Sequence, residues 1–446
     1  MSTTLTNPAP ANTAPTDRAT ATAGAARAPS AFGFATHLAC RECGHTCALG
    51  STHACDECFG PMEVAYDLPP LTRASIESGP LSMWRYASLL PVPPDVASRP
   101  NLDPGWTRLI RADQLAKVLG MRELWIKDER GNPTHSFKDR VVGVALAAAT
   151  ELGFKVLACP STGNLANAVA AAAARAGIRS VVLIPADLEP QKIVGSAVYG
   201  CSLVAVQGSY DDVNRLASEL ADEREDWAFV NVNVRPYYAE GSKTIGFEIA
   251  EQLGWRLPEQ IVVPVASGAQ LVKIDKAFRE LISTGLVDEA PYRVFGAQAT
   301  GCSPVAAAFR AGHEVVQPVR PATIAKSLAI GNPADGPYVL DVVRRTGGCV
   351  ADVSDDELVD AISLLASTEG IFAETAGGVT LAVLRSLLKE GLIDPEARTV
   401  IINSGDGLKT PDAVAPRIGA IAPIPPTLEA FAALEPVRSE SARKAG

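Results

Sequence analysis

The chain has 446 residues, 47% of them hydrophobic and 20% charged, with a formal net charge of −10. This length and balance fit a globular enzyme core with appended segments, and the negative charge argues against nucleic acid as the main partner. No apolar run approaches the ~20 residues that cross a bilayer. Nine cysteines without a secretory leader favour a reducing compartment. We therefore expect a cytoplasmic protein without a membrane or nucleic-acid partner.

Residues 1–33 consist mostly of Ala, Thr, Pro, Ser and Asn, with few aliphatic side chains. Such a segment buries too little apolar surface to offset the entropy of ordering it, so we predict a disordered tail. A transit peptide is the alternative, because the segment contains Arg18 and Arg27 and is poor in acids. Residues 433–446 are likewise predicted to form a flexible tail.

Two C-x-x-C pairs follow within residues 34–67: Cys40 with Cys43, and Cys55 with Cys58. Four thiolates can converge tetrahedrally on Zn²⁺, and a region this small would draw much of its folding energy from the metal. Because four thiolates leave no open coordination position, we predict a structural zinc ribbon. The alternatives are four free thiols, or a ribbon that docks a partner protein or RNA, although the acids of the ribbon disfavour RNA.

Beyond the ribbon, short apolar runs alternate with helical patterns. The runs predicted as buried strands are residues 124–126, 156–158, 181–184, 203–206, 261–263, 294–295 and 400–402. Helices are predicted at 141–151 and 164–175, among others. This alternation indicates an α/β fold whose parallel sheets are covered on both faces. Ligands of such folds bind in loops at the carboxyl ends of strands.

Lys138 lies at the start of an Ala/Val-rich helical run that extends to Glu151. The hydroxyl of Thr134 or Ser136 can cap this helix. The helix dipole and any desolvation favour a neutral amine at such a position, and a neutral lysine amine can act as a base or form a Schiff base. From position alone, an ordinary surface lysine is the simpler interpretation.

Three further loops follow predicted strands. The first combines hydroxyls, a glycine and a helix start, which suit a carboxylate: Ser161, Thr162, Gly163 and Asn164. The second has small residues that can bring backbone N–H groups onto a phosphate: Ala266, Ser267, Gly268, Ala269 and Gln270. In the third, Ser404 could meet a ring nitrogen at a strand end. Taken singly, the first two are more often a helix cap and a tight turn.

A lysine amine, an anion seat, a phosphate loop and a hydroxyl at a strand end together suit pyridoxal 5′-phosphate. The segment N-P-T-x-S-F-K-D-R at 132–140 resembles the cofactor-lysine motif of the fold-type II pyridoxal-phosphate enzymes, and within them the threonine synthase family. The resemblance continues through S-T-G-N at 161–164, E-G-S-K-T at 240–244, the loop at 266–270, the run at 324–333, A-G-G-V-T at 376–380 and S-G-D-G-L-K at 404–409.

This resemblance implies a catalytic core over 68–432 that consists of two parallel-sheet α/β subdomains, the smaller at roughly 154–240, with the cofactor between them. Lys138 would hold the cofactor covalently and carry protons, and Asn164 would bond its phenolic oxygen. Ser404 would face the pyridine nitrogen, where a neutral hydroxyl leaves the ring unprotonated. The loop at 266–270 would bind the cofactor phosphate, although the family commonly has Gly and Asn where this chain has Ala266, Ala269 and Gln270.

The resemblance also implies a substrate, O-phospho-L-homoserine, which reacts with water to give L-threonine and phosphate. Its carboxylate would bind at 161–163, and the candidates for its phosphate are Arg235, Lys243 and Lys326. A homodimer is a further expectation. The alternatives are a related replacement such as cysteate synthesis, a serine/threonine dehydration, or a non-catalytic binding protein. The intact Lys138 and its supporting loops disfavour the last.

Overall fold

The computed structural model describes residues 29–433, apart from 162, 187–189, 209, 420 and 422. Most of both predicted tails, residues 1–28 and 434–446, therefore lies outside the described residues. At the end of the first tail, Ser30 and Gly33 form a turn. The ring of Phe32 in this turn stacks on Tyr237 with 5.4 Å between centroids. The described part of this tail thus packs on the core.

The strands of the described residues form three sheets. In chain order they are β1 (Ala35–Cys40), β2 (Thr46–Cys47), β3 (Met62–Tyr66), β4 (Arg108–Arg111), β5 (Leu124–Asp128), β6 (Val156–Pro160), β7 (Arg179–Pro185), β8 (Ser202–Val206), β9 (Trp227–Phe229), β10 (Gln260–Pro264), β11 (Arg293–Ala299), β12 (Val350–Val353) and β13 (Thr399–Asn403). Every strand predicted from the sequence is present.

The large sheet has the order β12-β11-β10-β13-β5-β4, and its neighbours are parallel except for the antiparallel pair β4 and β5. The second sheet is parallel, with the order β8-β7-β6-β9. Its strands lie within the range 154–240 predicted for a smaller subdomain. In the ribbon, β1 pairs antiparallel with β2 and β3. These observations confirm the α/β prediction.

Helices cover the faces of both large sheets. They are α1 (Arg73–Glu77), α2 (Asp113–Leu119), α3 (Lys138–Glu151), α4 (Asn164–Ala176), α5 (Pro190–Ala197), α6 (Tyr210–Glu223), α7 (Arg235–Glu240), α8 (Lys243–Gln252), α9 (Ala269–Ser283), α10 (Pro304–Arg310), α11 (Gly336–Arg345), α12 (Asp355–Glu369), α13 (Thr375–Lys389) and α14 (Leu428–Ala432). Within the described residues, no helix is long and apolar enough to cross a membrane.

Helix α3 starts at Lys138 as predicted, but neither proposed hydroxyl caps it. Instead, a side chain from the first turn of the helix binds the loop that precedes it. The carboxylate of Asp139 accepts from the backbone N–H of Thr134 at 2.7 Å and from its hydroxyl at 2.8 Å. This pair of bonds shapes the loop before the helix, and the Ser136 hydroxyl stays buried without a hydrogen-bond partner. The predicted cap was therefore wrong.

A buried charge network anchors the same helix to its neighbours. Arg140 is fully buried and pairs with Glu129 and with Glu248, each at 2.5 Å. Lys127 joins through Glu248 at 2.6 Å, and both of these side chains are fully buried. Two cations and two carboxylates balance one another here, which is what makes burial of four charges tolerable. The network ties α3, β5 and α8 together two residues away from Lys138.

Candidate active site

The loops after three neighbouring strands of the large sheet meet at one edge. Lys138 follows β5, Ser404 follows β13 and the loop at 266–270 follows β10. Since these strands are adjacent and parallel, their carboxyl ends coincide, and Asn403 lies opposite Asp128 in the register. The backbone N–H of Phe137 donates to the Ser404 carbonyl at 3.0 Å. Three predicted site segments are therefore brought together by sheet order alone.

Lys138 projects from the first turn of α3 between two aromatic rings. Its Nζ donates to the hydroxyl of Tyr238 at 2.9 Å and lies 4.6 Å from the ring centroid of Phe137. Tyr238 belongs to α7, which packs against α3. Sequence reasoning missed Tyr238, and its only signal was the nearby candidate Arg235. Such a hydroxyl can orient the lysine amine and exchange a proton with it.

Glu374 joins the two predicted cofactor residues Asn164 and Ser404. Its Oε2 accepts from Asn164 Nδ2 at 2.9 Å, and its Oε1 accepts from the Ser404 hydroxyl at 3.0 Å. Burial raises the pKa of the Glu374 carboxyl, while the hydrogen bond from Asn164 and the charge of Lys409 act in the opposite direction. Glu374 was not predicted, although it lies two residues before the family-like run at 376–380.

Lys409 completes this connection between the two sheets. Its Nζ donates to Asn164 Oδ1 at 2.8 Å, so both polar atoms of the Asn164 amide are used. Burial lowers the pKa of Lys409, against the attraction of Glu374 and Asp139. The loop of the second sheet is thus fixed to the loops of the large sheet across the cleft. The sequence flagged Lys409 within a motif but gave it no role.

The loop at 266–270 opens helix α9 in a conformation suited to phosphate. Gly268 has a φ of +100° and precedes the helix, whose start has no side-chain cap. A Cβ at Gly268 would lie 2.7 Å from Val339 and 3.0 Å from Asp335, so glycine is required on both grounds. The amide nitrogen of Gln270 is buried without a partner. An uncapped helix start with small residues presents N–H groups and a positive dipole to an anion.

The remaining predicted residues differ in their surroundings. The Ser161 hydroxyl oxygen accepts from the backbone N–H groups of Gly163 at 3.3 Å and of Ala166, in the first turn of α4, at 3.2 Å. Thr162 lies outside the described residues. Lys326 is exposed on a short 3₁₀ turn, Lys326–Leu328. Whether 161–163 bind a carboxylate stays a prediction.

Arg235 and Lys243 occupy different places. Arg235 pairs with Asp335 at 2.5 Å, and Asp335 donates its backbone N–H to the Ser267 carbonyl at 2.9 Å. Arg235 therefore lies close to the loop at 266–270. Lys243 is fully buried, and its Nζ contacts Glu240 at 2.8 Å, Glu280 at 2.9 Å and a backbone carbonyl at 2.7 Å. This correction removes Lys243 from the substrate candidates, because its donors are committed to the core.

The cleft fits pyridoxal phosphate because it contains buried polar groups that have no hydrogen-bond partner within the protein. Besides Gln270, the buried hydroxyls of Ser136 and Thr375 have no hydrogen-bond partner. Ser136 is two residues from Lys138, and Thr375 is next to Glu374. Buried polar groups without partners are rare in folded proteins, and these three lie in the segments that contain Lys138, Glu374 and the 266–270 loop. A polar cofactor bound between them would satisfy them.

The four predicted metal cysteines form one cluster. The sulfur atoms of Cys40, Cys43, Cys55 and Cys58 all lie within 4.8 Å of one another. Three of the sulfur pairs are 3.4 to 3.6 Å apart. Sulfur atoms at ~2.3 Å from a tetrahedral Zn²⁺ would be separated by about 3.8 Å, so the cluster needs little movement to accept the metal. Gly60 is required here, since a Cβ would lie 2.9 Å from the Cys40 sulfur.

Comparison with known proteins agrees with this geometry. The family model described as pyridoxal-phosphate dependent enzyme matches residues 101–405. The threonine synthase of Methanocaldococcus jannaschii is 39% identical, over 84% of this chain and 93% of that protein. The threonine synthase of Methanosarcina acetivorans is 36% identical, over 85% of this chain and 93% of that protein.

Solved structures share the fold at lower identity. The processed form of threonine deaminase isoform 2 from Solanum lycopersicum has a TM-score of 0.59 and 21% identity, covering 70% of this chain and 88% of that one. A fungal L-serine ammonia-lyase from Rhizomucor miehei has a TM-score of 0.59 and 22% identity, covering 69% and 96%. The predicted fold-type II architecture is confirmed. The chain belongs to the pyridoxal-phosphate dependent enzyme family, and within it to the threonine synthases.

Proposed function

We propose that this enzyme converts O-phospho-L-homoserine and water to L-threonine and phosphate. The observation that carries the proposal is the convergence of Lys138, Asn164, Ser404 and the 266–270 loop on one cleft, linked through Glu374 and Lys409. The sequence relatives over most of the chain carry the name threonine synthase. Bound pyridoxal phosphate would supply the electron sink that makes protons on the substrate carbons acidic.

The residues of the cleft divide into holding and proton-moving groups. Lys138 would attach the cofactor aldehyde, and Asn164, Ser404 and the 266–270 loop would hold the phenolic oxygen, ring nitrogen and phosphate. Once released by the substrate amine, the Lys138 amine would take the α proton and later a proton from the β carbon. Its bond to Tyr238 at 2.9 Å keeps the amine directed into the cleft. Residues 161–163 would bind the substrate carboxylate.

The leaving phosphate needs a cation, and Arg235 is the best candidate. Arg235 pairs with Asp335, whose backbone N–H donates to the Ser267 carbonyl, and the Arg235 side chain is 27% exposed. A guanidinium at the cleft wall can donate two parallel bonds to a phosphate. Lys326 stays a second candidate because it is exposed. Lys243 is not part of this proposal.

The decisive test is threonine formation by the purified protein supplied with pyridoxal phosphate and O-phospho-L-homoserine. We expect release of one phosphate per threonine. Arg235→Gln should raise KM for this substrate by on the order of 10-fold with a smaller change in kcat, because the lost contact is made in the ground state as well. Turnover of phosphoserine with sulfite, or deamination of serine, in place of threonine formation would refute the proposed reaction.

We further propose that the four-cysteine cluster binds one structural Zn²⁺ and that the enzyme is a cytoplasmic homodimer. The sulfur separations support the metal. Metal analysis of the purified chain should give one zinc per chain, and sedimentation should give twice the mass of the chain. A metal-free, fully active enzyme would contradict the structural zinc, and a monomer would contradict the homodimer.

A further inference from the structure

The first cysteine knuckle reaches the wall of the active site through Arg41, the residue after Cys40. Its guanidinium lies over the ring of Tyr338 on α11, with 3.4 Å between the guanidinium carbon and the ring centroid. The adjacent Glu42 carboxylate accepts a hydrogen bond from the hydroxyl of the same Tyr338. The Cys40–Cys43 knuckle is therefore docked on α11 by two consecutive side chains.

Arg41 and Arg235 share a single carboxylate. Arg41 pairs with Asp335 Oδ1 at 3.5 Å, and Arg235 pairs with Asp335 Oδ2 at 2.5 Å. The Asp335 side chain is only 8% exposed, so the three charges lie in a partly desolvated setting. Two guanidinium groups therefore share one carboxylate. Since Asp335 also donates its backbone N–H to Ser267, both guanidinium groups are held close to the loop at 266–270.

We propose that Arg41 is a positioning residue through which the ribbon tunes phosphate recognition at the active site. Arg41 competes for Asp335 and so leaves donors of Arg235 available to an incoming phosphate. Without Arg41, Asp335 would pair with Arg235 alone, which would hold the Arg235 donors more tightly and remove one positive charge from the neighbourhood of the 266–270 loop. This inference rests on the proposed function, because it assigns the substrate phosphate to Arg235.

The structure also provides a matched control in the second knuckle. Asp56 follows Cys55 as Arg41 follows Cys40, and it is exposed. Arg41→Gln and Asp56→Asn thus each neutralise one charge at the equivalent position of a knuckle. A general loosening of the ribbon would affect both variants alike. Only the Arg41 change removes a charge next to Asp335.

The experiment measures binding of inorganic phosphate to the pyridoxal-phosphate-loaded enzyme by calorimetry, together with KM and kcat for O-phospho-L-homoserine. Arg41→Gln should weaken phosphate binding and raise KM by roughly 3- to 10-fold with little change in kcat. Arg41→Lys should recover part of the loss, because it restores the charge without the planar stack. Asp56→Asn should behave as wild type.

Equal phosphate affinity in Arg41→Gln and Asp56→Asn would overturn the inference, as would a kcat loss without a KM change. If Arg41→Gln does not fold, Tyr338→Leu is tested in its place. Tyr338 lies on α11 and not in the ribbon, and its loss removes the ring on which Arg41 stacks, so Tyr338→Leu should also weaken phosphate binding. A protein that makes no threonine but binds phosphate less well in Arg41→Gln refutes the proposed reaction and leaves only the role of Arg41 in binding phosphate standing. A threonine-forming enzyme with unchanged phosphate binding refutes only the inference.

Discussion

Replacing Glu248 by Gln should destabilise the enzyme more than any exposed charge replacement. Glu248 is fully buried and accepts from Arg140 at 2.5 and 2.8 Å and from Lys127 at 2.6 Å. It also accepts from the backbone N–H of Trp106 at 2.7 Å. Glutamine keeps the shape but removes the charge and turns an NH₂ group toward one of these donors. Two buried cations would then share Glu129 alone.

The magnitude follows from the charge balance. Burial by itself would raise the pKa of Glu248, but Arg140 and Lys127 outweigh it and lower that pKa from 4.5 to about 2. A shift of this size corresponds to about 3 kcal/mol at ~1.4 kcal/mol per unit. Breaking one side of a buried ion pair typically costs about 3–5 kcal/mol. We therefore expect Glu248→Gln to lose about 3–5 kcal/mol of unfolding free energy at neutral pH.

The assay is guanidinium-induced unfolding of the cofactor-loaded enzyme at pH 7. Glu219→Gln is the control, because Glu219 forms an exposed ion pair with Arg215 at 2.8 Å on α6, and its replacement should change stability by less than ~1 kcal/mol. The double variant Glu248→Gln/Lys127→Met removes one charge of each sign and leaves Arg140 with Glu129. It should therefore lose less stability than Glu248→Gln alone.

The pH dependence gives an independent check. Because the folded-state pKa of Glu248 is depressed, its contribution is complete above the unfolded-state pKa and is lost as the pH falls from about 4.5 toward about 2. Glu248→Gln should therefore lack this part of the decrease in unfolding free energy at acidic pH. If Glu248→Gln were as stable as Glu219→Gln, or its double variant were worse than the single, the charge-balance account of the network would be refuted.

Three further replacements test the site and the ribbon. Lys138→Ala should abolish borohydride trapping of the cofactor and all measurable turnover; retained activity would contradict the role of Lys138. Cys55→Ser should lower zinc per chain and stability, whereas an unchanged zinc content would show that the cluster is not the metal site. Glu374→Ala removes the acceptor of both the Asn164 amide and the Ser404 hydroxyl, so the Kd for pyridoxal phosphate in an absorbance titration should rise by ~5- to 100-fold. A wild-type Kd would show that Glu374 does not hold these residues.

The sequence predicted the central strands of the two large sheets and one edge strand, β8, and missed the other edges. The predicted runs are rich in Val, Ile and Leu, and apart from the half-exposed β8 those strands are buried on both faces. The strands of these two sheets that were missed, β4, β9 and β12, each lie at an edge. Arg108–Arg111 begins and ends with arginine, and Val350–Val353 carries Asp352. Charged residues protect exposed edges from pairing with other chains, and they also hide the strand pattern.

The candidate site also contains residues that the sequence identified and residues that only the structure revealed. Motif residues such as Lys138 and Asn164 could be found because the chemistry requires a residue type at a fixed local spacing. Glu374 and Tyr238 could not, because their contacts span 210 residues to Asn164 and 100 residues to Lys138. Lys243 shows the opposite error. Its place in a family-like motif suggested phosphate binding, whereas its burial assigns it to the core.

The ribbon is joined to the catalytic core by buried charges as well as by Arg41. Tyr66 of β3 donates to Glu240 of α7 at 2.6 Å, and Glu63 of the same strand pairs with Lys273 of α9. Lys273 also contacts Glu240 at 2.5 Å and is almost fully buried. Separating ribbon and core would take Glu63 from Lys273 and leave this buried network short of one carboxylate, which is costly for charges out of contact with water. Since α9 begins at the 266–270 loop, the ribbon contacts the helix that carries this loop, and the enzyme core cannot be treated as independent of the ribbon.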